Sequence, residues 1–142
     1  MALSMNPYLT FDGQAEAAMH FYAEHLGGKI TEFHRFGGSP MAADVPPEYH
    51  ERVMHAMLTL ENGQVLMASD TTPNYPAAQK IEGVTLNLSV SSLAEAERVF
   101  NALAQQGTVV MPLEKTFWAE RFGVVNDQFG VPWMVNLEAQ PE

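Results

Sequence analysis

The chain has 142 residues, seven basic against seventeen acidic, and a formal charge of −10 with histidine neutral. Such a surface repels phosphate backbones and anionic lipid, so neither nucleic acid nor membranes are expected partners. With no cysteine, disulfides, thiolate metal sites and cysteine nucleophiles are excluded. The opening MALSMNPYLTF lacks the basic start and apolar core of a signal peptide, and no run of about 18 apolar residues follows, so a cytoplasmic location is expected.

Residues 5–12 (MNPYLTFD) alternate like a strand. Residues 14–26 carry Ala17, Ala18, Phe21 and Leu26 at helical spacing, and Gly27 and Gly28 close the helix. KITEFHRF (29–36) reads as a second strand. The Gly/Pro-rich stretch 37–52 is too long for a hairpin and is expected to be a lid-like loop. Over 53–70, two alternating runs flank Asn62 and Gly63, the preferred pair for a two-residue hairpin turn. A proline-bearing linker follows over 71–82. The pattern then restarts, with a strand over 83–90, a helix over 92–107, a strand over 108–113, and a final strand pair in KTFWAERFGVVND and FGVPWMVNL.

A shift of 79 places Ala15, Glu16 and Ala17 on Ala94, Glu95 and Ala96. It also places Leu9 on Leu88, Phe21 on Phe100, Ala23 on Ala102 and Gly28 on Gly107. The order strand, helix, strand, hairpin recurs with it, which predicts a duplicated βαβββ unit of α+β class. Module one covers about 5–70 and module two about 83–138, within one domain spanning 1–142.

HERVMH (50–55) resembles the helical zinc motif H-E-x-x-H, but its histidines are five apart. On a helix that step turns the second ring about 140° from the first, and on a strand it sends the two to opposite faces. His20 and His25 fail for the same reason. His34 and Glu32 share a strand face and remain a weak metal alternative.

Strand alternation separates an apolar face (Leu9, Phe11; Ala56, Leu58, Leu60; Val84, Leu86, Leu88, Val90; Val131, Trp133, Val135, Leu137) from a second one. The second face carries Asn6, Tyr8 and Thr10; His55, Met57 and Thr59; Thr85, Asn87 and Ser89; Pro132, Met134 and Asn136. Hydroxyls, amides and thioethers in place of Lys, Glu and Arg fit a half-polar pocket lining.

The stretches YLTFDGQAEAAMHFY (8–22), GQVLMASD (63–70) and above all TFWAERFGVVNDQFGVPWMVN (116–136) resemble the PhnB-like branch of the vicinal oxygen chelate superfamily. That superfamily includes glyoxalase I, extradiol dioxygenases and bleomycin-resistance proteins, and the branch is also labelled 3-demethylubiquinone methyltransferase-like. The resemblance implies eight strands curled around a cup, and a homodimer. Metal-using members place one ligand on each of four strands, and the matching positions here are Asn6, Met67, Thr85 and Met134. None is a carboxylate or imidazole, so no metal site and no cofactor are expected, with a recruited divalent metal as the alternative. No G-x-G-x-x-G turn for S-adenosylmethionine occurs, which speaks against methyl transfer.

Two functions follow as expectations. The first is a small-molecule-binding protein with a pocket drawn from Tyr8, Thr10, His55, Met67, Asn87, Trp118, Arg121 and Met134. Trp118 and Tyr8 would supply aromatic surface, and Arg121 an anion contact unless it merely pairs with Glu120. The second is an enzyme of glyoxalase, dioxygenase or isomerase type. In its metal-free form His55 is the catalytic acid or base, because imidazole titrates near neutral pH. Asp70 or Asp127 are candidates to orient it, although a turn-capping role suits Asp127 better.

Overall fold

The computed structural model describes residues 3–74 and 80–139. The chain divides into two compact units, Met1–Ala77 and Ala78–Glu142. Residues 75–79 of the expected linker lie outside the described residues.

The first unit runs β1 (Tyr8–Phe11), α1 (Ala15–Leu26), β2 (Gly28–Arg35), β3 (Val53–Leu60) and β4 (Val65–Asp70). Its sheet has the order β1-β4-β3-β2, with β1 parallel to β4 and the other pairs antiparallel. The second unit repeats this with β5 (Leu86–Val90), α2 (Leu93–Ala104), β6 (Thr108–Glu114), β7 (Ala119–Asn126) and β8 (Pro132–Glu138). Its order is β5-β8-β7-β6, again with one parallel pair. The α+β class and the two βαβββ modules are those expected from the sequence.

In each unit the helix covers one sheet face. Leu9, Phe11, Ala56, Leu58, Leu66 and Ala68 are buried under α1, while Val125, Val131, Trp133, Val135 and Leu137 form the matching layer of the second unit. The α1 stripe differs from expectation. Ala15, Ala18, Met19 and Tyr22 are buried, whereas Ala17 is exposed and Phe21 and Leu26 are half-buried. Alanines at 15, 17, 18 and 23 make most of the helix circumference apolar, so spacing alone could not choose the stripe; Tyr22 and Met19, the largest fully buried side chains, decide it. Val84 also departs, being 64% exposed and outside β5.

The hairpin at 61–63 is not the two-residue turn. Leu60 N–H donates to Gln64 O (2.8 Å) and Gly63 N–H to Leu60 O (2.9 Å), with Gly63 at φ +90°. A two-residue type I′ turn requires positive φ at both central residues, and Asn62 does not adopt it. The loop therefore takes three residues, with Asn62 Oδ1 accepting from Gln64 N–H (3.0 Å). The second unit builds the same loop. Asp127 N–H donates to Val131 O (2.9 Å), Gly130 N–H to Asp127 O (3.0 Å), and Gly130 sits at φ +86°.

The 37–52 excursion contains two single 3₁₀ turns, Ala42–Asp44 and Pro47–Tyr49. His50 Nε2 lies 3.0 Å from Ala42 O and 2.9 Å from Val45 O, and Gly37 N–H donates to His50 O (2.8 Å). The first histidine of HERVMH is thus a loop clasp.

Candidate functional site

The side of the first sheet opposite α1 is its open face. Across it, Tyr8 is the register partner of Met67, Met67 of Met57, and Met57 of Glu32. The neighbouring row carries the pairs Thr10–Ser69 and His34–His55. Two bulges set this arrangement. Between Ile30 and Glu32 the register slips by one, with Thr31 extra, so Ile30 pairs with buried Leu58 while Glu32 pairs with Met57 on the open side. A second slip, with Met54 extra, turns Val53 and Arg35 toward the helix side.

The long side chains of this face are linked. Tyr8 Oη lies 3.1 Å from His55 Nδ1, and His55 Nε2 lies 3.7 Å from Glu32 Oε2. The His34 ring lies parallel to that of His55, centroids 6.5 Å apart and planes 19° apart. Thr31 and Thr59 share a hydroxyl hydrogen bond of 2.9 Å beside them. Four of the expected pocket residues, Tyr8, Thr10, His55 and Met67, therefore lie on one face. Glu32 is the carboxylate at His55, and neither Asp70 nor Asp127 holds that place.

Both aspartates are buried and bound to other donors. Asp70 Oδ1 accepts from Gly13 N–H (2.9 Å) and Ala15 N–H (3.0 Å), and its Oδ2 from Val53 N–H (2.9 Å). It caps α1, whose own N-cap residue Gln14 makes no side-chain cap. Asp127 Oδ1 accepts from Phe129 N–H (2.9 Å) and Val131 N–H (3.0 Å), and its Oδ2 from Trp133 Nε1–H (2.8 Å).

The helix side of the first unit is charged but internally matched. Arg35 grips both oxygens of Glu16 (3.1 and 2.8 Å), and Arg52 Nη1 donates to Asp12 (2.8 Å) and to Thr71 Oγ1 (3.0 Å). The Arg35 hydrogen bond holds the Glu16 carboxyl below its ordinary range. Hydrogen bonds from Arg52, then Thr71, do the same for Asp12.

On the open face of the second sheet, Asn87 pairs with Met134, which pairs with Val124, and Ser89 pairs with Asn136, which pairs with Phe122. Trp118 sets its ring edge-on to Phe122, centroids 5.3 Å apart. Asn87 and Met134 are thus paired on one face, and Trp118 touches Phe122 in the adjoining row. Arg121 is not among them. It pairs with Leu137, and alternation puts it on the side of Gly123 and Val125. Its Nη1 donates to Glu120 O (2.7 Å) and Glu120 Oε1 (3.2 Å).

The four positions that the resemblance matches to metal ligands do not fit a divalent ion. Asn6 precedes β1 and Thr85 precedes β5, while Met67 stands between Tyr8 and Met57, and Met134 between Asn87 and Val124. An amide, a hydroxyl and two thioethers bring no charge to offset such an ion. No group of three His, Cys, Asp or Glu side chains placed to hold a metal occurs among the described residues. No helix of the described residues is long and apolar enough to cross a membrane.

Residues 4–136 match the family model described as 3-demethylubiquinone-9 3-methyltransferase. Protein YjdN of Escherichia coli (strain K12) is 33% identical over 146 aligned residues, covering 97% of each chain. Protein PA1353 from Pseudomonas aeruginosa is similar in structure, with a TM-score of 0.88 and 46% identity over 98% of this chain and 100% of that one. The PhnB protein from Bacillus cereus, described as a putative 3-demethylubiquinone-9 3-methyltransferase, gives a TM-score of 0.79 at 30% identity over 95% and 99%. The fold alone is shared with a glyoxylase/bleomycin resistance protein/dioxygenase domain from Frankia sp. EAN1pec, at a TM-score of 0.69 and 14% identity over 98% and 99%. The chain belongs to the PhnB-like 3-demethylubiquinone-9 3-methyltransferase family.

Proposed function

We propose that this protein binds a small molecule on the open face of its first sheet without a divalent metal. The observation that carries this reading is the linked set Tyr8, His55 and Glu32 beside the thioethers of Met57 and Met67. Polar side chains fixed by one another and flanked by apolar, adaptable surface provide orientation and burial together. On the second sheet, Asn87, Met134 and the Trp118–Phe122 pair offer a more apolar binding surface. Arg121 is left out of the pocket because Glu120 already engages it. A cytoplasmic homodimer, implied by composition and family, is part of the same reading, and light scattering measures its mass.

The test is a thermal-shift screen of metal-stripped protein in chelator against small aromatic and carbonyl compounds. Ligands that raise Tm in chelator, and whose effect weakens in Tyr8→Phe and His55→Ala, support the reading. Ligands that act only after Zn, Ni, Mn or Fe(II) is added contradict it. A second reading, a metal-free isomerase or epimerase with His55 as base, is favoured by the Tyr8 hydroxyl at 3.1 Å from the imidazole. Turnover of a screened ligand, abolished in His55→Ala with affinity retained, would select it.

A further inference from the structure

We propose that Tyr8, His55 and Glu32 form a proton relay, and that the site takes a weakly acidic hydroxyl compound, an enol or a phenol, as its anion. The proposal rests on the binding reading above and adds the chemical class of the ligand.

Glu32 Oε2 stands 3.7 Å from His55 Nε2. A carboxylate accepts and does not donate, so it favours the tautomer with the proton on Nε2. In that tautomer Nδ1 carries a lone pair, and the Tyr8 hydroxyl 3.1 Å away donates to it. The phenol is thereby directed to give up its proton to the imidazole, while its own oxygen keeps lone pairs for an incoming O–H. Tyr8 is 47% exposed, so that oxygen is accessible to a ligand. Ordered acid, imidazole and hydroxyl make up the base–orienter logic of nucleophile activation, here ending on a phenol.

The step balances as a transfer of one proton. The ligand O–H bond breaks and its proton joins the Tyr8 oxygen. The former Tyr8 proton joins His55 Nδ1, and no electrons are exchanged. What results is a ligand oxyanion, a neutral tyrosine, and an imidazolium between Tyr8 and Glu32. Every donor then points toward the new charge, Nδ1–H to the Tyr8 oxygen and Tyr8 O–H to the ligand. Met57 and Met67, paired across β3 and β4, give the ligand's carbon skeleton an apolar bed. Ordinary alcohols hold their proton too tightly for an imidazole to take it, and carboxylic acids arrive already ionised. Enols and phenols lie between. Tyr8 touches the ligand in this scheme, and Glu32 is a positioning residue that acts through His55.

Two measurements test it. Nitrogen-15 NMR of the free protein reads the His55 tautomer, which should be Nε2–H in the wild type and a mixture of both forms in Glu32→Gln. Absorbance of 4-nitrophenol, at a pH where the free compound is mostly protonated, reads the ionisation of the bound probe. The visible phenolate band should appear on binding, vanish in His55→Gln, and fall roughly threefold in Glu32→Gln, as the loss of a partly exposed charge implies. Near-ultraviolet circular dichroism confirms that each variant is folded. A probe bound as the neutral phenol, or His55 in the Nδ1–H form, would overturn the relay and leave the binding reading standing. Failure of both 4-nitrophenol and acetylacetone to bind would overturn the assigned ligand class, while the chelator screen decides the binding reading separately.

Discussion

The two units carry the same backbone devices and different open faces. Leu60–Gln64 and Asp127–Val131 close with the same pair of hydrogen bonds around a left-handed glycine. Gly28 opens β2 and Gly107 directly precedes β6, each against a facing carbonyl: a Cβ on Gly28 would stand 2.7 Å from Thr59 O, and one on Gly107 would collide with Asn126 O. On the open faces, the first sheet presents Tyr8, His34, His55 and Glu32, while the second presents Asn87, Ser89, Phe122 and Asn136. Alternation separates what folds a sheet from what that sheet shows. The buried side can stay fixed while the other exchanges titratable groups for aromatic and amide groups.

The two buried aspartates separate the units most strongly. Asp70 ties the start of α1 to the start of β3, whereas α2 is capped locally, Glu95 N–H donating to Ser92 Oγ (3.1 Å). Asp127 instead holds the second hairpin and Trp133. Removing either carboxylate orphans three donors, two of them buried, so Asp70→Ala and Asp127→Ala should each cost about 3–5 kcal/mol in urea unfolding. Ser92→Ala, which removes one exposed cap, should cost about 1 kcal/mol.

Next come the paired glycines. Gly28→Ala and Gly107→Ala should cost about 1–3 kcal/mol each, because a facing backbone carbonyl cannot swing away as a flexible side chain would. The loss should be greater at Gly107, where the approach is closer. Equal and negligible losses would contradict the shared role.

A smaller effect sharpens the match. The shift of 79 sets Gln106 on Gly27, and both lie in the left-handed region, at φ 56° and 79°. Gln106→Gly should therefore stabilise by up to about 1 kcal/mol and Gly27→Gln should destabilise by about the same. Chemical denaturation of both variants reads the pair.

The smallest effect belongs to the first unit. Asp12 and Glu16 have carboxyls held below their ordinary values of 3.8 and 4.5, chiefly by hydrogen bonds from Arg52 and Arg35. A depressed carboxyl stabilises the fold above its unfolded value, and that contribution fades as pH falls through the folded one. Asp12→Asn and Glu16→Gln should thus lower Tm slightly at neutral pH and converge on the wild type in acid, as pH falls through the folded-state values.

The fold was legible because its signals are periodic. Alternation at Leu9–Phe11 and Val131–Leu137 assigned the buried faces correctly, and the shift of 79 marked the duplication. Bulges carry no such signal. Ile30, Glu32 and His34 share a parity, so alternation alone puts Glu32 on the face of Ile30; the extra residue at Thr31 moves it opposite Met57 and within reach of His55. Sequence spacing therefore placed Tyr8, Thr10 and His55 on a common face, the resemblance supplied Met67, and both missed the carboxylate beside His55. Arg121 shows the converse: its scarcity as a cation suggested a pocket role, whereas its register sets it on the helix side beside Glu120.

If this member of the family works on the first sheet's open face without a divalent metal, metal retention decides it. Protein incubated with Zn, Ni, Mn and Fe(II), stripped of loose ions and measured by inductively coupled plasma mass spectrometry should retain far less than one ion per chain. Retention of about one ion per chain, lowered by substituting Met67 or Met134, would contradict the account and return the site to metal chemistry.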